Sequence, residues 1–180
     1  MSYLGLGLFA EGASDHVFLG PILRRLVVRL VVREGSRPLD VSDEVLAISA
    51  AAPGRGGRAQ QIVLAATEAR GAIHLLFVHA DAGGSADRAL EERVRPGIEL
   101  VAREHALLRL GCVPVVPVRE TEAWALVDGD ALRAAFGTTR SDGDLGVPDG
   151  AEQVERLRAP KATLEGPAQE DCRLVGDEEG

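Results

Sequence analysis

The run Ile73-His74-Leu75-Leu76-Phe77-Val78-His79-Ala80-Asp81-Ala82-Gly83-Gly84 constrains this chain more than any other stretch. Its short apolar body gives way to polar and then small residues, the pattern of a strand buried on both faces and closed by glycine. A strand without a wet face belongs in a parallel sheet covered by helices on both sides. Such sheets take their ligands just beyond the carboxyl ends of the strands. His79 and Asp81 stand at that end, two residues apart, so a continuing strand sends both side chains to one side. The run therefore predicts a site as well as a strand.

The flanking segments alternate in the way such a sheet requires. Tyr3 to Ala10 predicts a first strand and Glu11 to Asp15 a turn. From His16 the period becomes helical, with Val17, Phe18, Ile22, Leu23, Leu26, Val27 and Leu30 on an apolar stripe. Arg24, Arg25, Arg29 and Arg33 fall largely off it. Val45 to Ala50 predicts a second strand, residues 52–58 a flexible basic loop, and Ala59 to Arg70 a helix. Beyond the organising strand, a helix is expected from Ser85 to Arg95, a break at Pro96-Gly97, and a second helix from Ile98 to Leu110 that stops at Gly111. Val113 to Val118 predicts a fourth strand, which Pro114 and Pro117 push towards an edge. A helix from Arg119 to about Phe136 and a short one at Ala151 to Arg158 complete the pattern. The fold class that follows is α/β: a three-layer, Rossmann-like arrangement with right-handed crossovers and a mainly parallel sheet of about four strands.

Composition sets limits on function. A chain of 180 residues is one domain by length. Its net charge of −8 is uneven: residues 1–70 carry eight Lys/Arg against seven Asp/Glu, and the remainder twelve against twenty-one. Acidic proteins bind bare nucleic acid poorly, because phosphate affinity comes from Lys and Arg. An exception is a site whose carboxylates hold a divalent ion that then faces the phosphate. No stretch reaches the roughly 18 uninterrupted apolar residues of a membrane helix, so no membrane partner is expected. No secretory signal is evident, and Cys112 and Cys172 form no CxxC pair. A cytoplasmic protein is the expectation.

Carboxylates follow three of the predicted strands: Glu11 and Asp15, then Asp81, then Glu120 and Glu122. If the strands are parallel, these ends share one edge and the acids can converge. Gathered carboxylates repel one another, and Mg²⁺ or Mn²⁺ would relieve that repulsion. No Gly-Lys-Ser/Thr ending accompanies the Gly54–Gly57 loop, and no Gly-x-Ser-x-Gly elbow appears, so neither a P-loop nor an α/β hydrolase fits.

The opening Glu11-Gly12-x-x-Asp15, the strand end Val78-His79-Ala80-Asp81-Ala82, the segment Pro117-Val118-Arg119-x-Thr121-Glu122-Ala123-Trp124 and the late Pro160-Lys161 occur in that order. Together they resemble the TOPRIM (topoisomerase–primase) domain, most closely the small bacterial members of its OLD-like nuclease branch known only as a domain of unknown function. The resemblance spans about residues 5 to 165. It implies a TOPRIM-like domain over 1–165 followed by an acidic, disordered tail over 166–180. It also implies a nuclease or phosphotransfer activity on nucleic acid phosphodiesters, DNA rather than RNA, in phage defence or DNA processing. Glu11 would be the TOPRIM glutamate, binding metal or moving a proton, and Asp15 the second acid of the opening. His79 and Asp81 would replace the paired aspartates, with histidine a departure that suits Mn²⁺ or Zn²⁺ better than Mg²⁺. Glu120 and Glu122 would add acids to the metal site, Lys161 would neutralise a phosphate or leaving oxygen, and Arg55 and Arg58 would hold the nucleic acid backbone. The alternative implied is a non-catalytic interaction module that partners an ATPase, and a homodimer is compatible with either.

Each residue also has an ordinary reading. Asp15 can cap the first helix, Asp81 can serve a turn, and Glu120 and Glu122 can sit in a helix's first turn because the dipole favours acids there. His79 can be a hydrogen-bonded histidine at a strand end, and Trp124 a core residue.

Overall fold

The computed structural model describes residues 2–49, 57–104, 110–118 and 120–166. They divide into two compact units: residues 1–80 with 86–116, and residues 81–85 with 117–180. Arg55, Arg119 and the tail from residue 167 lie outside the described residues.

The first unit is an α/β layer structure. Strand β1 (Ser2–Ala10) leads into helix α1 (Ala13–Glu34), β2 (Leu39–Ser49), α2 (Arg58–Glu68) and β3 (Leu75–His79). A helical stretch follows, made of α3 (Ala86–Ala89), a π-helical turn (Leu90–Val94) and α4 (Arg95–Glu104), and then β4 (Gly111–Val115). All four strands are parallel, in the order β2-β1-β3-β4, with helices on both sides. The expected three-layer, Rossmann-like class is what the chain forms.

The organising run is the buried central strand it promised: from Leu76 to His79 every residue is buried. Alternation divides its side chains. Leu76 and Val78 join Phe9, Ile62, Val63, Val94 and Val101 in the core beneath α2 and α4, whereas His79 points to the side of α1, facing Asp15. Removing side chains such as Leu6, Leu8 and Phe9 from water, all at most 1% exposed, stabilises by about 1.5–3 kcal/mol each. β2 is longer than expected and carries Asp40, Asp43 and Glu44, charges that suit an edge. Its register with β1 slips between Leu4 and Leu6. There the Ser42 hydroxyl accepts the Leu6 N–H at 3.2 Å, replacing the bond the ladder lacks. β4 is the other edge, and so tolerates Pro114.

Three expectations need correction. Pro96-Gly97 does not break the helix. Proline lacks an N–H and its ring crowds the carbonyl four residues back, and the chain meets this with a π turn in which the Arg95 N–H bonds to Leu90 O. Gly97 serves close packing instead: a Cβ there would lie 2.3 Å from Ile62 Cδ1 of α2. Gly111 is the first residue of β4 rather than a helix stop. The long helix expected up to Phe136 is two short ones, α5 (Thr121–Ala125) and α6 (Gly129–Phe136), because the Asp128 carboxylate accepts the Ala131 N–H and starts a new helix.

The second unit contains α5, α6, α7 (Ala151–Val154) and a further helical segment at residues 160–166. Ala123, Leu126, Leu132, Leu145 and Val154 form its core, with Trp124, Phe136, Val147 and Leu157 packed against it. Trp124 is thus a core-flanking residue, its indole N–H donated to Glu155 Oε1 at 2.7 Å. No described helix is long and apolar enough to cross a membrane.

Candidate functional site

In the first unit β1 lies between β2 and β3. The chain steps from β1 to one side, and then crosses back to the other. The order reverses between β1 and β3, and a doubly wound sheet opens its binding crevice at the carboxyl ends of such a pair. Glu11 directly follows β1 and His79 ends β3. Two clusters form there.

The first surrounds Glu11. Its Oε1 accepts from Arg58 Nη1 and, at 2.6 Å, from Arg93 Nη2. Arg58 is held firmly. Its Nε donates to Arg93 O at 3.1 Å, its Nη2 to His79 O at 2.5 Å, and its guanidinium lies 5.5 Å from the centre of the Phe9 ring. The Arg58 side chain is 17% exposed, against 38% for Arg93 and 54% for Glu11. Two guanidinium groups thus share one carboxylate oxygen. Arg58 was expected to hold nucleic acid; here it holds Glu11. Arg93, in the π turn, was not foreseen.

The second cluster joins Asp15, His16 and His79. Asp15 Oδ2 accepts the Gly12 N–H at 3.1 Å at the start of α1, and lies 3.7 Å from His79 Nδ1. The helix-start role and the contact with His79 therefore coexist in one carboxylate. His16, in the next position, has both ring nitrogens buried without a hydrogen-bond partner among the described residues. Burial holds its pKa below the ordinary 6.5, the nearby His79 adds to that shift, and Asp15 opposes it. The ring is thus favoured in its neutral form, able to accept a proton or a metal ion. His16 also lines a cleft of about 630 Å³ between α1 and β2, with Arg24, Arg25, Asp43 and Glu44.

The remaining expected residues belong to the second unit. Asp81 is exposed, in the segment that turns at Gly83 and Gly84, both at positive φ. Glu120 accepts the Lys161 backbone N–H on Oε2 at 3.4 Å, and Glu122 is half-buried in the first turn of α5. Lys161 is exposed.

Two carboxylates and an imidazole from Glu11, Asp15 and His79 are donor types that fit Mn²⁺. Their present arrangement is a different matter. Among the described residues no three His, Cys, Asp or Glu side chains are gathered into a metal-holding group, and guanidinium groups occupy Glu11. Comparison with protein-family models, curated proteins and solved structures finds no match.

Proposed function

We propose that the chain is a TOPRIM-like domain that acts on nucleic acid phosphodiesters with a divalent ion, Mg²⁺ or Mn²⁺. The observation that carries this reading is the strand-order reversal between β1 and β3, whose ends bear Glu11, Asp15 and His79 beside two arginines. Glu11, Asp15 and His79 of the first unit would hold the ion, and the resemblance implies a part in catalysis for Asp81. When bound, the ion would supply Lewis acidity at phosphorus. The chain's own groups do the rest. Arg58 and Arg93 orient and neutralise the phosphate. Asp15 places a carboxylate 3.7 Å from the His79 Nδ1, and neutral His16 can take up a proton. Cleavage of plasmid and single-stranded DNA with Mn²⁺ or Mg²⁺ tests the reading. Glu11→Gln or Asp81→Asn should lower the rate by about 10²-fold or more; rates equal to wild type would remove those residues from the mechanism.

A second reading has its own supporting observation. Glu11 is already neutralised by two guanidinium groups, as a structural carboxylate would be. On that reading the domain is a non-catalytic module that partners an ATPase. It predicts no Mn²⁺-dependent change in melting temperature, and co-purification of an ATPase from the native host.

A further inference from the structure

We propose that Arg58 and Arg93 form a phosphate-binding subsite, and that Glu11 fills it while no ligand is present. The choice of a phosphodiester as the natural ligand rests on the function proposed above; the subsite rests on its own geometry. Guanidinium forks match carboxylates and phosphates alike, so a glutamate oxygen shared by two arginines is an internal stand-in for a phosphate oxygen. Arg58 is pre-organised by the carbonyl groups of His79 and Arg93 and by the Phe9 ring, and loses little freedom when it binds. Glu11 is the most exposed member, and it sits on the short Glu11-Gly12 link between β1 and α1. Inorganic phosphate has more acceptor oxygens than Glu11 and up to twice its charge, and a phosphodiester matches Glu11 in both, so either competes for the Arg58 Nη1 and Arg93 Nη2 donors that Glu11 holds. Its arrival turns Glu11 from a counter-ion into a released carboxylate at the rim of the sheet.

Titration with inorganic phosphate at low ionic strength, followed by ³¹P NMR and calorimetry, tests this. Arg93→Gln is the primary variant, because Arg58 also ties down backbone and its loss can disturb folding. Arg93→Gln should weaken phosphate binding about tenfold, the loss of one charge-assisted interaction. Arg93→Lys, which keeps the charge without the fork, should fall between the two. Glu11→Gln removes the internal competitor and should tighten binding several-fold, more than Asp43→Asn, an exposed carboxylate paired with Arg24. Wild-type affinity in Arg93→Gln, or a Glu11→Gln protein that binds no tighter than Asp43→Asn, would overturn the proposal. The outcome separates from the nuclease assay. The predicted binding pattern in a protein without metal-dependent cleavage keeps the subsite and removes the nuclease. Cleavage with no effect of Arg93→Gln on phosphate does the reverse.

Discussion

Glu11→Gln separates the arginine cluster from the rest of the fold and allows its weight to be measured. The substitution keeps the size of the side chain and removes its charge. Glu11 is half-exposed and Arg93 is more than a third exposed, so that pair belongs with solvent-screened ion pairs of about 0.2–1 kcal/mol. Arg58 is better shielded, and its interaction lies towards the upper end of that range. The glutamine oxygen still accepts a neutral hydrogen bond and recovers part of the loss. The net destabilisation should be about 1 kcal/mol, a drop in melting temperature of about 2–4 °C for a chain of this size. Circular dichroism melts at 20 mM and 500 mM NaCl provide the assay, and the gap between wild type and variant should shrink at high salt. In the Glu11→Gln background, Arg93→Gln should cost less than it does in wild type, because the charge it shares with Glu11 has gone. A variant as stable as wild type at low salt would mean that the cluster carries no weight in solution. A fall above 10 °C would mean that Glu11 supports far more than two guanidinium groups.

Gly97→Ala should destabilise by about 1–2 kcal/mol, since a crowded Cβ outweighs the gain in helix propensity. In an Ile62→Val background, which lacks the clashing Cδ1, chemical denaturation should find a much smaller cost. For His16 the folded pKa is depressed, so the unfolded chain binds more protons. Its contribution is therefore complete above about pH 6.5 and is lost as the pH falls through 6.5 towards the folded value. Urea midpoints between pH 5 and 8 should be less steep in His16→Asn than in wild type. Burial pushes the Cys112 thiol up to about 11 from 9.0, which cuts its thiolate about 100-fold, partly offset by greater nucleophilicity. Native Cys112 should alkylate at pH 8 about tenfold more slowly than in the unfolded chain, as peptide mass spectrometry would detect.

The layer order was legible because burial on both faces of Leu75 to His79 and the alternation of element types leave few other packings. Glu11, Asp15 and His79 could be singled out for the same reason: in a parallel sheet the strand ends share an edge, and polar residues after buried strands stand out. Other features had no local signature. The weakly alternating Leu39–Glu44 pairs as a strand because the exposed edge of β1 accepts it. Pro96-Gly97 reads as a break by propensity, but packing of α4 on α2 overrides that preference. Arg93 sits among ordinary helix-surface charges, and nothing in the spacing marks it as the arginine that reaches Glu11. The division after Ala80 is equally silent, since no proline- or glycine-rich linker precedes Asp81.

The π turn at Leu90–Val94 acts as a one-residue phase shifter. Ala89 and Val94 are both buried, five positions apart, whereas in a regular α-helix residues four apart share a face. Without the extra residue, burying Ala89 would drive the Arg93 guanidinium inward among aliphatic side chains. With it, the same cylinder keeps an apolar seam and still offers a cation at its rim. A chain shortened by one residue before Arg93 would set Ala89 and Val94 four positions apart, on one face of an ordinary α-helix, and lose the bond from the Arg95 N–H to Leu90 O.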